Sequence, residues 1–350
     1  MRRIIACLIV ILLTILMSVW IMADNVAAVE WDGEDSFDGD KKTYVVTKPT
    51  AVKTSVTIPA GVTVSVKSGG NLIVGKAADF TVVGSIEVEE NATLQTMGKV
   101  SFAAESSAKI DGKWLIKKDA RVTVSSEILT AGTAQISLQG KLSVTKTGKI
   151  TGKGKISFDY FTNIENEGEI TATLVPPKPK VTDGVTYVGE ILIANKQHSL
   201  PKTYGSGLLE ETSAAFELMK KDAKTAGFNL NIISGFRSYE HQERTYAYWC
   251  NLYGEDYAKM ISAKAGTSEH QTGLAIDINS LQTSYGDTAE GKWLAANCHK
   301  YGFIIRYPKD KTAITGYNYE PWHLRYLGTQ IAAQVYKSGL CLEEYVGIGT

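Results

Sequence analysis

Between residues 43 and 174 apolar and polar residues alternate in short runs, such as Val62-Thr63-Val64-Ser65-Val66 and Gly140-Lys141-Leu142-Ser143-Val144. Strict alternation puts one set of side chains on one face, so each run predicts a half-buried strand. Beyond the residues near 183 the pattern lengthens. Residues 212–226 have helical spacing, with Ala215, Leu218, Met219 and Ala223 on one face. Residues 239–253, 289–301 and 329–337 also read as helices, and residues 230–233, 274–278 and 303–306 as short strands. Mixed elements of this kind predict an α+β domain.

The strand-rich half is periodic. Gly70, Gly84, Gly98, Gly112, Gly140, Gly154 and Gly168 share a 14-residue frame, broken only at Ser126. A weaker series runs between them through Ala78, Ala92, Ser106, Ala120, Ala134, Gly148 and Thr162. Each repeat therefore carries two strands and two turns, the glycine supplying either a positive φ or a close backbone approach. One such unit cannot bury its own face, whereas stacked copies can. The prediction is an all-β, β-solenoid-like repeat domain over residues 42–175; a β-sandwich is the competing reading, but it does not require so strict a period. This half has no histidine and no catalytic constellation, and it reads equally as a passive scaffold or as a spacer or binding stalk. Pro176, Pro177 and Pro179 mark an extended linker over residues 176–182, followed by the second domain at 183–350.

The first 28 residues stand apart. Arg2 and Arg3 precede an uncharged apolar run over residues 4–22, and Val26-Ala27-Ala28 offers small residues for cleavage. This reads as a secretion signal, or as an uncleaved membrane anchor, since about 20 apolar residues span a bilayer. Either reading exports the rest of the chain. The 37 basic and 37 acidic residues cancel, which gives no argument for a nucleic-acid partner. The cysteines, Cys7, Cys250, Cys298 and Cys341, form no CxxC pair, so a cysteine-based metal site is not expected.

The candidate chemistry lies in the second half, where all five histidines fall. His270 precedes Gly273, and Asp277 interrupts an apolar strand between Ile276 and Ile278. A glycine turn can fold His270 back beside Asp277, and a buried carboxylate needs a partner that a cation would supply. His323 lies in Glu320-Pro321-Trp322-His323-Leu324-Arg325. Pro321 biases Glu320 away from helix, so this segment is expected to be extended. Two histidines and a carboxylate leave a fourth zinc position open, the pattern of a catalytic site. Glu320 is the expected proton acceptor. His198, His241 and His299 have no motif around them, Arg325 is expected to buttress the ligand strand, and Tyr246, Tyr248 and Tyr253 are expected in helix packing.

These segments resemble the VanY-type D-alanyl-D-alanine carboxypeptidases and the related L,D-carboxypeptidases. The resemblance runs over about residues 191–328. It rests on Ser234-Gly235-Phe236-Arg237-Ser238-Tyr239 with Gln242, on Ser268-Glu269-His270-Gln271-Thr272-Gly273-Leu274-Ala275-Ile276-Asp277, on Arg306-Tyr307-Pro308-Lys309, and on Glu320-Pro321-Trp322-His323. It implies that His270, Asp277 and His323 bind Zn2+, that Glu320 is the general base, and that Arg237 anchors the substrate, Phe236 standing where the family has tyrosine. Gln242, Ser268 and Tyr307 match positions that line the substrate site in relatives. The implied function is zinc-dependent removal of C-terminal D-alanine from peptidoglycan stem peptides, D,D in preference to L,D. A zinc endopeptidase acting on cross-bridges and a non-enzymatic wall-binding repeat protein are the alternatives.

Overall fold

The computed structural model describes residues 41–348 and the backbone of two short strands, Val29–Glu30 and Phe37–Asp38. The N-terminal apolar run lies outside the described residues. Among those described, no helix is long and apolar enough to cross a membrane. Contacts divide the chain into two compact units, residues 1–156 with 166–173, and residues 157–165 with 174–350.

The first unit is a three-sided β-solenoid. Its four-residue strands bury the second and fourth side chains and expose the first, as in Lys99–Phe102, Arg121–Val124 and Lys141–Val144. Corners of four residues alternate with corners of two, as 75–78 and 83–84 show between Val74 and Asp79 and between Val82 and Ser85. One long and one short corner with their strands make the 14-residue repeat. A coil closes only after three strands, however, so pairing runs Leu72 to Leu94 to Trp114 to Ile136, steps of 22, 20 and 22 residues. Glycine therefore arrives at a given corner on alternate coils. The interior is apolar, and its largest member, Trp114, satisfies its indole N–H on the buried Thr96 hydroxyl at 3.0 Å.

At the two-residue corners the close backbone approach decides the residue. Gly98 has an ordinary negative φ, but a Cβ there would clash with the carbonyl oxygens of Gly75 and Ala78 in the coil beneath. Gly98→Ala should cost about 1–3 kcal/mol through overpacking; the loss would be read from urea unfolding of the β signal, and an unchanged midpoint would remove this explanation of the period. At Ser126, where glycine is missing, the hydroxyl meets that of Ser106 in the preceding coil at 2.9 Å. A buried polar pair replaces the bare backbone contact.

The second unit is α+β. An antiparallel sheet runs in the order Ile232–Ser234, Ala275–Ile278, Glu320–Tyr326, Phe303–Tyr307. Helices Glu210–Thr225, Ala289–Asn297 and Thr329–Ser338 accompany it, the first two packing against the sheet through Phe216, Met219 and Leu294. Leu218 departs from the expected face: it is 63% exposed, while Thr212 and Phe216 are buried. Helix Glu255–Ile261 was not signalled by the apolar pattern, because its only buried residue is Ala258. Pro179–Thr182, within the segment read as a linker, pairs with Val185–Val188 and through it with Ile191–Ile193. Cys250, Cys298 and Cys341 form no disulfide; burial pushes the Cys298 thiol up to about 12.

Candidate active site

Strand register assembles the centre. Asp277 and His323 are direct cross-strand partners, and Ser234 faces Asp277 from the other side. His270 lies in the short 3-10 turn Glu269–Thr272, which ends at Gly273 with φ 72 in the left-handed region. The chain therefore reverses, and His270 Nε2 comes to 3.2 Å from Asp277 Oδ2. His323 Nδ1 lies 3.1 Å from Asp277 Oδ1. One donor atom from each of His270, Asp277 and His323 falls within 4.8 Å of the others, and all three residues are buried. Glu320 is three residues from His323, a spacing that in a regular strand puts side chains on opposite faces. Here the register slips by two residues, from Ile305 opposite Leu324 to Tyr307 opposite Glu320. This irregularity brings Glu320 Oε2 to 3.6 Å from His323 Nδ1.

One of the two imidazoles is held by a hydrogen bond through its other nitrogen. His270 Nδ1–H donates to Gly235 O at 2.7 Å. His323 Nε2 faces Glu269 Oε2 at 3.7 Å. His270 Nε2 and His323 Nδ1 point at Asp277, and for His270 the Gly235 carbonyl fixes the tautomer, as neighbouring groups do for a metal ligand. His270 Nε2 and Asp277 Oδ1 are buried without a hydrogen-bond partner. Two imidazoles, a carboxylate and these orphaned atoms fit a divalent cation of the zinc type. Electrostatics agree. Burial alone would depress His323, but Asp277 and Glu269 raise it to about 9. Against burial, His270 and His323 hold Asp277 well below the usual carboxylate range. The carboxylates of Asp277, Glu269 and Glu320 thus surround the two imidazoles with negative charge, which favours a cation at the centre. Burial, opposed by His323 and Arg237 and reinforced by Asp277, pushes Glu320 up to about 8.

The centre opens into a cavity of about 460 Å³, which Arg237, Ser268, Tyr307 and Glu320 also line. Arg237 follows the strand Ile232–Ser234, and its backbone N–H donates to His270 O at 3.2 Å. Its Nε is buried without a partner, so the guanidinium has donor capacity in hand. Tyr307 packs against the His323 ring with centroids 4.9 Å apart. Gln242 departs from the expectation. It is wholly buried behind the wall, and its amide donates to Ser262 Oγ at 3.2 Å and Ala263 O at 2.6 Å. Its part is to hold the segment that lines the cavity, because the first turn of helix Tyr239–Tyr253 directs it inward. The aromatic residues of that helix also differ from the expectation. Tyr248 and Tyr253 are 59% and 54% exposed, and Tyr253 stacks on Trp249 at the cavity wall instead of packing in the core.

Sequence reasoning assigned no role to Glu269, which proves central. It is fully buried; Arg306 Nε donates to its Oε1 at 2.7 Å and Arg325 Nη1 at 2.8 Å. Arg306 is completed by Glu343 Oε2 at 2.9 Å and Oε1 at 2.5 Å, and Arg325 by Leu192 O at 2.7 Å. The readable signal was charge at core positions of apolar strands: Arg306 within Phe303–Tyr307 and Arg325 within Glu320–Tyr326. Arg325 buttresses the ligand strand as expected.

Residues 206–329 match the family model described as VanY, D-alanyl-D-alanine carboxypeptidase. The putative carboxypeptidase YodJ of Bacillus subtilis is 42% identical over 180 residues, 44% of this chain and 66% of that protein, just under two thirds of its length. Among solved structures, the L,D-carboxypeptidase DacB of Streptococcus pneumoniae is 36% identical over 49% of this chain and 97% of its own, with a TM-score of 0.45. The D,D-pentapeptidase VanY from a VanB-type resistance cassette, solved with Zn(II), is 34% identical over 44% of this chain and 97% of its own, with a TM-score of 0.39. Residues 206–329 of this chain are thus a domain that matches the VanY, D-alanyl-D-alanine carboxypeptidase family.

Proposed function

We propose that the C-terminal domain is a zinc-dependent carboxypeptidase that removes the terminal D-alanine of peptidoglycan stem peptides, the D,D bond in preference to the L,D bond. The observation that carries this reading is the convergence of His270, Asp277 and His323 beside Glu320, in a cavity that Arg237, its Nε without a partner, also lines. Zn2+ held by the three ligands would polarise the scissile carbonyl and lower the pKa of a water towards 7. The planar fork of Arg237 suits the substrate's terminal carboxylate, which makes the domain an exopeptidase. Glu320 takes the proton of the attacking water and returns it to the departing amine of D-alanine. Ser268 and Tyr307 shape the cavity around the peptide, Gln242 supports its wall, and Trp322 shields the centre from bulk water. The relatives support both bonds, one being a D,D-pentapeptidase and another an L,D-carboxypeptidase. Export belongs to the proposal, on the strength of Arg2, Arg3 and the apolar run behind them.

The test is D-alanine release by the full chain from pentapeptide and tetrapeptide stems, with and without a chelator. Release from the pentapeptide is expected to exceed that from the tetrapeptide, to stop on chelation and to return with zinc. Cleavage of cross-linked dimers, with neither free stem trimmed, would replace the exopeptidase by the endopeptidase. Release from the tetrapeptide alone would reverse the bond preference.

A further inference from the structure

The chain's neutrality hides an uneven distribution. Residues 41–156 contain 17 basic residues and 8 acidic ones, a net charge of +9 over that stretch, which the six acids of residues 29–40 and the two of residues 166–173 largely offset in the unit as a whole. Several of its acids are already engaged. Glu89 pairs with Lys67 at 2.7 Å, Asp111 with Lys109 at 3.0 Å, and Glu127 accepts from Thr151 at 2.8 Å.

One sheet sets cations side by side on successive strands. Its strands Asp79–Val82, Lys99–Phe102, Arg121–Val124 and Lys141–Val144 are parallel and in register. The first residue of each strand points outward, so Asp79, Lys99, Arg121 and Lys141 form a straight row across the strands, its three cations exposed. The third residues, Thr81, Ser101, Thr123 and Ser143, make a second outward row of hydroxyls beside it. Lys117 and Lys118 add charge at the corner preceding Arg121. Strands in a sheet lie about 4.8 Å apart, so three cations stand within about 10 Å. Like charges directly opposite one another in a sheet are destabilising. Among the described residues, neither Lys99 nor Arg121 has an ion-pair partner. Folding of the coil does not need this row, since two adjacent coils on the neighbouring sheet place Asn71 and Thr93 at the equivalent positions.

We infer that this face binds a linear phosphodiester polyanion. A phosphodiester chain brings one negative charge per repeat along a line, which matches a line of cations, and its oxygens can accept from the adjacent hydroxyls. Arginine and lysine are both phosphate-binding side chains. None of the eight outward residues on the four strands is apolar, whereas a face that inserts into a bilayer or anchors a protein partner carries aromatic or aliphatic side chains. The inference does not depend on the peptidase reading, because it concerns other residues and a different readout.

The experiment uses the full chain in neutral detergent and measures its binding to a poly(glycerol phosphate) chain, with uncharged dextran for comparison. The wild type is expected to bind the polyanion alone, with affinity falling as salt rises. The Lys99→Gln/Arg121→Gln double variant should bind at least about ten-fold more weakly at low salt, with a log–log salt slope shallower by about 2. A Lys113→Gln/Lys155→Gln double variant, which removes the same charge from the neighbouring sheet, should bind like the wild type. Far-ultraviolet spectra of both variants check that the solenoid is intact. Equal weakening by the two double variants would reduce the effect to net charge and overturn the proposal, as would unchanged affinity in the first or no binding by the wild type.

Discussion

Glu320→Gln is expected to lower kcat by about 10²–10⁴ while the protein still binds one zinc per chain. The substitution is nearly isosteric, so the buried packing beside His323 survives and the loss falls on proton transfer. Stability should hold or improve, because a neutral amide replaces a carboxylate that burial and Asp277 already oppose. The measurement is single-turnover D-alanine release beside zinc stoichiometry on the same preparation. Full activity would mean that another group takes the water's proton. Loss of zinc with loss of activity would make Glu320 a ligand instead of a base. A KM that rises while kcat stays constant would place it in ground-state binding.

This outcome bears on how the site could be read at all. His270, Asp277 and His323 were legible because each breaks a local rule: a histidine before a glycine turn, a charge inside an apolar strand, a histidine in a segment that Pro321 keeps extended. The position of Glu320 was not legible in the same physical sense. Three-residue spacing in a strand predicts the opposite face, and only the register slip opposite Tyr307 turns it inward. The solenoid shows a similar split. Its strands and their buried faces follow from alternation, and the 14-residue glycine frame is real. That the coil has three sides depends on closure between coils, which no single repeat encodes; the period of two strands and the coil of three meet only after six strands. Gln242 and Tyr253 show the limit for helices, since spacing says which residues share a face but not whether that face meets the core, the wall of a cavity or solvent.

Glu269→Ala is expected to lose about 3–5 kcal/mol of stability in the C-terminal domain and to weaken zinc binding about 10–100-fold. Burial works against the Glu269 carboxylate, but Arg306, Arg325 and His323 hold it far below its ordinary range. Removing it leaves two buried guanidiniums short of a counter-charge. Arg306 keeps both contacts to Glu343, and Arg325 keeps the carbonyls of Leu192 and Tyr326, so the burden falls on Arg325 and on the strand Glu320–Tyr326 that carries it. That strand also carries His323, whose Nε2 would lose the carboxylate facing it. The two effects are separable. Hydrogen exchange in Glu320–Tyr326 reports the loosened strand, and zinc titration reports the ligand. Glu269→Gln, which retains shape and one acceptor but not the charge, guards against outright misfolding and should fall between wild type and alanine on both measures. Unchanged exchange and unchanged zinc affinity in the alanine variant would show that Glu343 and the backbone carbonyls satisfy both arginines. The buried charge network would then be no support to the metal ligand beside it.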